Sequence, residues 1–363
     1  MITTAFLLGA LNRGGAETLV LDIFKSGQNK LNFIGIYRKE GNLSENFTNC
    51  GVRMIKIEPG GKFDVMYIFR LRRFLKRNKV NIVHSHQLID GAIGMLCCLF
   101  SHRRSVLTFH GHELNKPLLM QLLRKTVLKY NHKNVFVSNS QLGYFQKHNN
   151  INFRQQVIYN GINLDKFRQK HSIREELCIP DNTLLTGSVG NFTPVRDHLF
   201  VCKFLKELLE ANIKFVHLFI GSASIAEPQI LEECTNYCQN NLPGAQVIFL
   251  GHRNDVPSIL PQLDAFFYAT RTDTFGIAII EAMACKVPVF VNNNEVMLEI
   301  TDNGTLANIY ETGNVKSLLV LFIDFLKNKN TYLSRAKQAS EVVNHRYSIN
   351  KHLENLVELY KTL

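Results

Sequence analysis

The stretch Tyr268-Ala-Thr-Arg-Thr-Asp273-Thr-Phe-Gly276-Ile-Ala-Ile-Ile-Glu281-Ala-Met-Ala-Cys-Lys-Val-Pro-Val289 decides the fold. The apolar run Ala265–Tyr268 before it has the aromatic content of a buried strand, and a polar loop carrying Gly276 follows. Ile277–Ala284 then has helical character, and Val287–Val291 is a second apolar run. Strand, short loop, helix and strand form the repeating unit of a parallel sheet. The same alternation extends in both directions. Strands are expected at Thr4–Gly9, Asn32–Tyr37, Arg53–Ile57, Asn81–His84, Ser105–Phe109 and Asn134–Val137, and again at Thr186–Gly190, Phe215–Gly221 and Gln246–Leu250. Helical patterns separate them at Ala16–Lys25, Val65–Asn78, Asp90–Phe100, Leu118–Tyr130, His198–Ala211, Glu227–Asn240, Val256–Leu260 and Lys316–Asn328.

At 363 residues the chain exceeds what one core usually supports, so two α/β domains are expected. The boundaries read as 1–165 for the first domain, 166–182 for a polar linker containing Pro180-Asp181-Asn182, and 183–345 for the second. The segment 346–363, with Leu353, Leu356, Leu359 and Tyr360 at helical spacing, is expected to cross back to the first domain. Ligands of open parallel sheets bind beyond the carboxyl ends of the strands, which places the expected active site in a cleft between two facing domains.

No apolar run approaches the ~20 residues of a membrane span. The start, Ile2–Leu11, lacks a basic lead and is expected to be a first strand. The eight cysteines form no CxxC pair, as suits reduced thiols and a cytoplasmic location. The net charge of +12 is uneven: up to Lys170 there are 26 Lys and Arg against 9 Asp and Glu, and 16 against 21 after it. The basic half is expected to face something anionic.

The chemistry concentrates around the quoted loop. Amides at the helix start near Phe275, Gly276 and Ile277 can hold a diphosphate. Asp273 and Glu281, eight positions apart, can line one pocket and accept hydrogen bonds from vicinal hydroxyls, Glu281 from a ribose and Asp273 from a sugar.

With these residues in place, the sequence resembles the retaining GT-B glycosyltransferases of family 4, whose signature is two glutamates separated by seven residues. Asp273-x7-Glu281 stands in that position. Gly14-Gly15-Ala16-Glu17 looks like the family's glycine-rich first loop, Thr108-Phe109-His110-Gly111 like its histidine motif, and Val157–Ile162 like the end of its first domain. The resemblance covers nearly the whole chain. It implies two Rossmann-like doubly wound domains, the first on the acceptor side and the second binding the nucleotide-sugar, and a sugar moved from a UDP- or GDP-linked donor onto a glycan or lipid-linked acceptor, with anomeric configuration kept. It also implies that His110 contacts the donor sugar.

The family's phosphate-binding Gly-Arg-Phe/Leu-x-x-x-Lys appears here as Gly190-Asn191-Phe192-Thr193-Pro194-Val195-Arg196, so Asn191 removes one cation and Arg196 keeps the other. Asp273 is one methylene shorter than the usual Glu. Arg196, the amides of Gly14 and Gly15 and the helix start suit the charge that builds on a departing diphosphate. Gly251-His252-Arg253 is expected to frame the nucleotide base through backbone contacts.

No cofactor is expected, and no essential metal, since no Asp-x-Asp occurs. His84-x-His86 and His110-x-His112 offer zinc-like pairs with no third ligand at a characteristic spacing. Lys62–Lys79, with seven cations among aromatics, and Leu118–Lys133, with leucines among cations, suit an anionic membrane surface at the inner face of the cell membrane. Against these stand an epimerase of the same fold and a non-catalytic basic binding protein. No nucleic-acid module is recognisable.

Overall fold

The computed structural model describes all residues except 13, 62, 63, 113–116, 150–153, 169 and 245. The chain divides into two compact units, Met1–Asn163 with Tyr347–Leu363, and Leu164–Arg346.

The first unit runs β1 (Thr3–Ala10), α1 (Gly15–Gly27), β2 (Asn32–Lys39), α2 (Ser44–Thr48), β3 (Arg53–Lys56), α3 (Val65–Arg77), β4 (Ile82–Ser85), α4 (Leu88–Cys98), β5 (Arg104–Phe109), α5 (Leu118–Tyr130), β6 (Lys133–Phe136), α6 (Asn139–His148) and β7 (Gln155–Val157). Its seven strands pair in parallel in the order β3-β2-β1-β4-β5-β6-β7. β1 is central and covered on both faces, which explains its unbroken apolar run. Successive side chains of a strand point to opposite faces. Phe6 and Leu8 accordingly join Leu19, Val20, Ile23 and Phe24, and Ala5 and Leu7 join Tyr67, Leu71 and Leu75.

The second unit runs α7 (Ile173–Glu176), β8 (Leu184–Val189), α8 (His198–Glu210), β9 (Phe215–Ile220), α9 (Gln229–Asn241), β10 (Val247–Gly251), α10 (Val256–Ile259), β11 (Ala265–Tyr268), α11 (Ile277–Ala284), β12 (Val289–Asn292), α12 (Glu295–Ile300), β13 (Asn308–Tyr310), α13 (Val315–Lys327) and α14 (Lys329–Arg346). Six parallel strands take the order β10-β9-β8-β11-β12-β13. The core is aromatic, with Phe204, Phe267, Phe290 and Phe322 buried in mutual contact. Burying one such ring stabilises the fold by about 1.5–3 kcal/mol.

Residues expected as a linker, 166–182, belong to the second unit. Ile173 is fully buried, its amide donates to Gln262 Oε1 at 2.9 Å, and Arg174 donates to Asp264. Polar composition there serves anchoring rather than solvation. The last helix, α15 (Ile349–Lys361), lies in the first unit, where Leu353, Leu356, Leu359 and Tyr360 pack with Phe6 and Phe24.

Both sheets reverse direction of strand addition at one place, between β1 and β4 in the first and between β8 and β11 in the second. In open parallel sheets the carboxyl edge at such a reversal is where ligands bind.

Candidate active site

In the second unit the loops after β8 and β11 are tied together. Arg196 and Thr270 form an antiparallel bridge, the Asp197 amide donates to Ala269 O at 3.0 Å, and the Arg271 amide donates to Val195 O at 2.8 Å. Asn292 clamps the same segment from β12, accepting from the Thr270 amide at 3.1 Å and donating to Thr270 O at 2.9 Å. Neither Asn292 nor Tyr268 stood out in the sequence as a site residue.

This bracing sets Arg196 against Tyr268 and Asp273. The guanidinium carbon lies 3.9 Å from the Tyr268 ring centroid, and Nη1 lies 3.4 Å from Asp273 Oδ2. Tyr268, itself buried, donates its hydroxyl to the same Oδ2. Asp273 Oδ1 accepts from the amides of Thr274 at 2.7 Å and Phe275 at 3.2 Å. The carboxylate therefore shapes the loop that starts α11 and also neutralises the cation beside it. Burial lowers the Arg196 pKa, and Asp273 opposes that shift.

Gly276 caps α11 at φ +84°, a left-handed conformation that favours glycine, and supplies no side-chain acceptor to the helix. Ile277 opens the helix, and Glu281 sits half-buried one turn along, close enough to Cys285 to raise that thiol's pKa after burial has done so, to about 12 in all. Asn191 accepts from the Ser222 amide at 3.0 Å and so ties the β8 loop to the end of β9. His198 Nε2 meets Gly190 O at 3.1 Å, and burial, followed by the Arg196 charge, drives its pKa down to about 3.

Gly251 ends β10 at φ +62° and its carbonyl accepts from Gly221, His252 is exposed, and the Arg253 side chain is committed elsewhere. Arg253 grips Glu176 at 2.7 and 2.9 Å and Asp255 at 2.6 and 2.8 Å. His171, Glu176 and Asp255 are, among the described residues, a group able to hold a metal ion. Arg253 already bonds both carboxylates and lowers their pKa values.

Gly14, Gly15 and His110 belong to the first unit. Gly14 caps α1 and its carbonyl accepts from the Thr18 amide, while Gly15 begins the helix. His110 follows β5, and its Nε2 lies 2.8 Å from His86 Nδ1 with the rings stacked at 17°. His84 bonds Tyr360 and Thr108. Burial pushes His84 and His110 down to about 3 and holds His86 well below the usual imidazole value.

The comparisons divide along the same lines as the units. The family model "Glycosyl transferases group 1" matches residues 169–342, and "Glycosyltransferase Family 4" matches 13–166. The structure of Alr3699/HepE from Anabaena, solved with UDP and glucose, superposes over 100% of both chains with a TM-score of 0.88 at 16% identity. The chain has the GT-B glycosyltransferase fold. Among relatives of this GT-B chain are the O-antigen biosynthesis glycosyltransferase WclY of Escherichia coli, 22% identical over 99% of this chain and 98% of that one, and an alpha-1,3-galactosyltransferase of the same organism. The latter is named for transfer from UDP-Gal to alpha-D-GlcNAc-diphosphoundecaprenol and is 23% identical over 82% and 79% of the two chains. These relatives do not favour the epimerase or binding-protein alternatives.

Proposed function

We propose that this chain is a retaining, metal-independent glycosyltransferase of family 4 that moves a sugar from a UDP- or GDP-linked donor to a glycan or lipid-linked acceptor during synthesis of a bacterial surface polysaccharide or glycolipid. The observation that carries the reading is the Arg196–Tyr268–Asp273 arrangement beside the uncapped start of α11, at the strand-order reversal of the second sheet. A diphosphate there meets a cation and a helix dipole, both fixed before the ligand arrives. The bound diphosphate takes over the balancing of the Arg196 charge, which leaves the Asp273 carboxylate to accept from the sugar hydroxyls. Glu281 takes the ribose hydroxyls, and His110 orients the donor sugar.

The protein works in the cytoplasm against the inner face of the cell membrane. Support comes from the first unit, where Leu118, Leu119 and Leu122 are exposed on α5 beside Lys125 and Lys129, and where α3 exposes Phe69 with Arg73, Lys76 and Arg77. No described helix is long and apolar enough to cross a membrane.

The test is release of nucleoside diphosphate from UDP-glucose, UDP-galactose, UDP-N-acetylglucosamine and GDP-mannose, with sugar acceptors and with or without EDTA. Release from one donor, undiminished by EDTA and giving an α-linked product from an α-donor, is expected. No release from any donor, or epimerised donor without transfer, would remove the proposal.

A further inference from the structure

Two histidines stand two positions apart at the end of β4, His84 on the strand and His86 just past it, so both rings lie on one face of the sheet. His84 has both nitrogens engaged: Nδ1 meets the Tyr360 hydroxyl, and Nε2 meets Thr108 Oγ1 at 2.8 Å. Its ring stacks on His86 with centroids 4.6 Å apart, and Phe6 lies against both, 5.0 Å from His84 and 5.5 Å from His86. His86, 7% exposed, is thereby packed in one orientation, with Nδ1 aimed at His110 Nε2 across 2.8 Å. His110, half-buried after β5, is the more exposed of the pair.

Burial holds His86 well below the usual imidazole value and His110 at about 3, so both rings are neutral and each carries one N–H. A nitrogen-to-nitrogen contact this short needs a hydrogen on one side and a lone pair on the other. The far nitrogen of His86 decides which. Nε2 is buried and has no hydrogen-bond partner among the described residues. Orphaned buried N–H groups are rarer in folded proteins than orphaned acceptors, so the proton belongs on Nδ1, where it is used. His86 then donates and His110 Nε2 accepts. Since the bond made by one ring nitrogen sets the state of the other, the His110 hydrogen stands on Nδ1.

We propose that His86 is a positioning residue for sugar transfer: by donating from Nδ1 to His110 Nε2 it holds the His110 ring in place and in its Nδ1–H tautomer. His110 then offers a hydrogen to a sugar oxygen and cannot serve as a base toward a sugar hydroxyl. The inference rests on the transferase reading, in which His110 orients the donor sugar. His86 acts only through His110, and the rings of His84 and Phe6 keep its own ring from turning.

The experiment is long-range proton–nitrogen correlation NMR on the full chain with nitrogen-labelled histidine, for wild type, His86→Asn and His86→Leu, with His110→Gln to assign the His110 ring. The asparagine amide nitrogen stands close to where Nδ1 stands in histidine and can donate in its place; leucine cannot. Wild type should show His110 as a single neutral Nδ1–H form at neutral pH, His86→Asn should keep that form, and His86→Leu should shift it toward Nε2–H. With the sugar donor, kcat/KM should fall about tenfold or more in His86→Leu and return to within about threefold of wild type in His86→Asn, while nucleoside diphosphate affinity stays level. The Nε2–H form in wild type, or a wild-type tautomer or wild-type rate in folded His86→Leu, would overturn the proposal. If His86→Leu does not fold, the wild-type tautomer and the His86→Asn rate decide. The tautomer is read without turnover, so no transfer by wild type from any sugar donor strikes the transferase reading, whereas the wrong tautomer with transfer intact strikes only the role of His86.

Discussion

The Arg196 guanidinium lies over the face of the Tyr268 ring, 3.9 Å from its centroid. The face of an aromatic ring attracts a cation while leaving the guanidinium edge free for bidentate bonds to oxygen anions. The ring thus presents the cation, and its hydroxyl holds the carboxylate that balances the charge before a ligand arrives.

Tyr268→Phe keeps the stacking surface and removes the hydroxyl from Asp273. Loss of a buried hydrogen bond to a charged group costs about 1.5–3 kcal/mol. Turnover with the sugar donor is expected to fall by at least tenfold while nucleoside diphosphate affinity changes little; Tyr268→Leu, which removes the ring face too, is expected to weaken both. Equal effects of the two substitutions in steady-state kinetics and calorimetry would contradict this division of labour.

Asp273→Asn separates two roles of one carboxylate. Without its charge Arg196 is unpaired, so affinity for a bare nucleoside diphosphate is expected to hold or rise. The sugar hydroxyls lose a charged acceptor, so kcat/KM for the intact donor should drop by about 2 kcal/mol of transition-state stabilisation. Parallel loss of affinity and turnover would show that Asp273 acts mainly by shaping the loop through the Thr274 and Phe275 amides.

Much of this arrangement was legible in the sequence, for an identifiable reason. The strands of both central sheets are apolar runs bounded by polar turns, and the loop residues Asp273, Gly276 and Glu281 stand at fixed offsets from a strand end. What escaped was short, small or tertiary. β7 and β13 are three-residue strands, too brief for any alternation to show. α14 is eighteen residues long, but its buried face includes Ala336, Ala339 and Ser340, which carry little apolar signal. Tyr268 looked like a core aromatic because it is one, at 2% exposure, and its hydroxyl contact depends on how the following loop folds back. Arg253 was read for its backbone, whereas its side chain organises an ion cluster with residues 77 positions earlier and two later.

The buried imidazoles predict acid sensitivity. His84 and His110 are pushed down to about 3 and His352 to about 4, chiefly by burial, against about 6.5 when unfolded. Below pH 6.5 the unfolded chain gains protons that the folded chain cannot, so stability is full above 6.5 and is lost as pH falls toward 3–4. Each such histidine contributes a slope of up to about 1.4 kcal/mol per pH unit. Asp90, pushed up to about 6, and Glu17, raised by burial, act in the opposite sense, but they are two groups against several buried imidazoles. The urea midpoint should be clearly lower at pH 5.0 than at 7.5, and a flat profile would contradict burial of these rings.

The proposed membrane docking depends on which cations are free to meet lipid. Lys62 lies outside the described residues, and Arg72 donates to the carbonyls of Leu96 and Leu99 at the end of α4, so its loss would disturb the fold. Arg73→Gln, Lys76→Gln and Arg77→Gln together should release the protein from anionic vesicles and reduce the salt dependence of co-sedimentation. Leu118→Ser with Leu122→Ser should weaken binding without altering that dependence. Equal pelleting with neutral vesicles would refute electrostatic docking.

The most direct test of the account is calorimetry of UDP and GDP against wild type, Arg196→Lys and Arg196→Ala in EDTA. One nucleotide is predicted to bind wild type without metal, with Arg196→Ala losing about 2 kcal/mol, or roughly thirtyfold in affinity, and Arg196→Lys falling between because it keeps charge but not the planar fork. Binding of neither nucleotide, or the same affinity in all three proteins, would contradict the claim that Arg196 holds the diphosphate of a nucleotide-sugar.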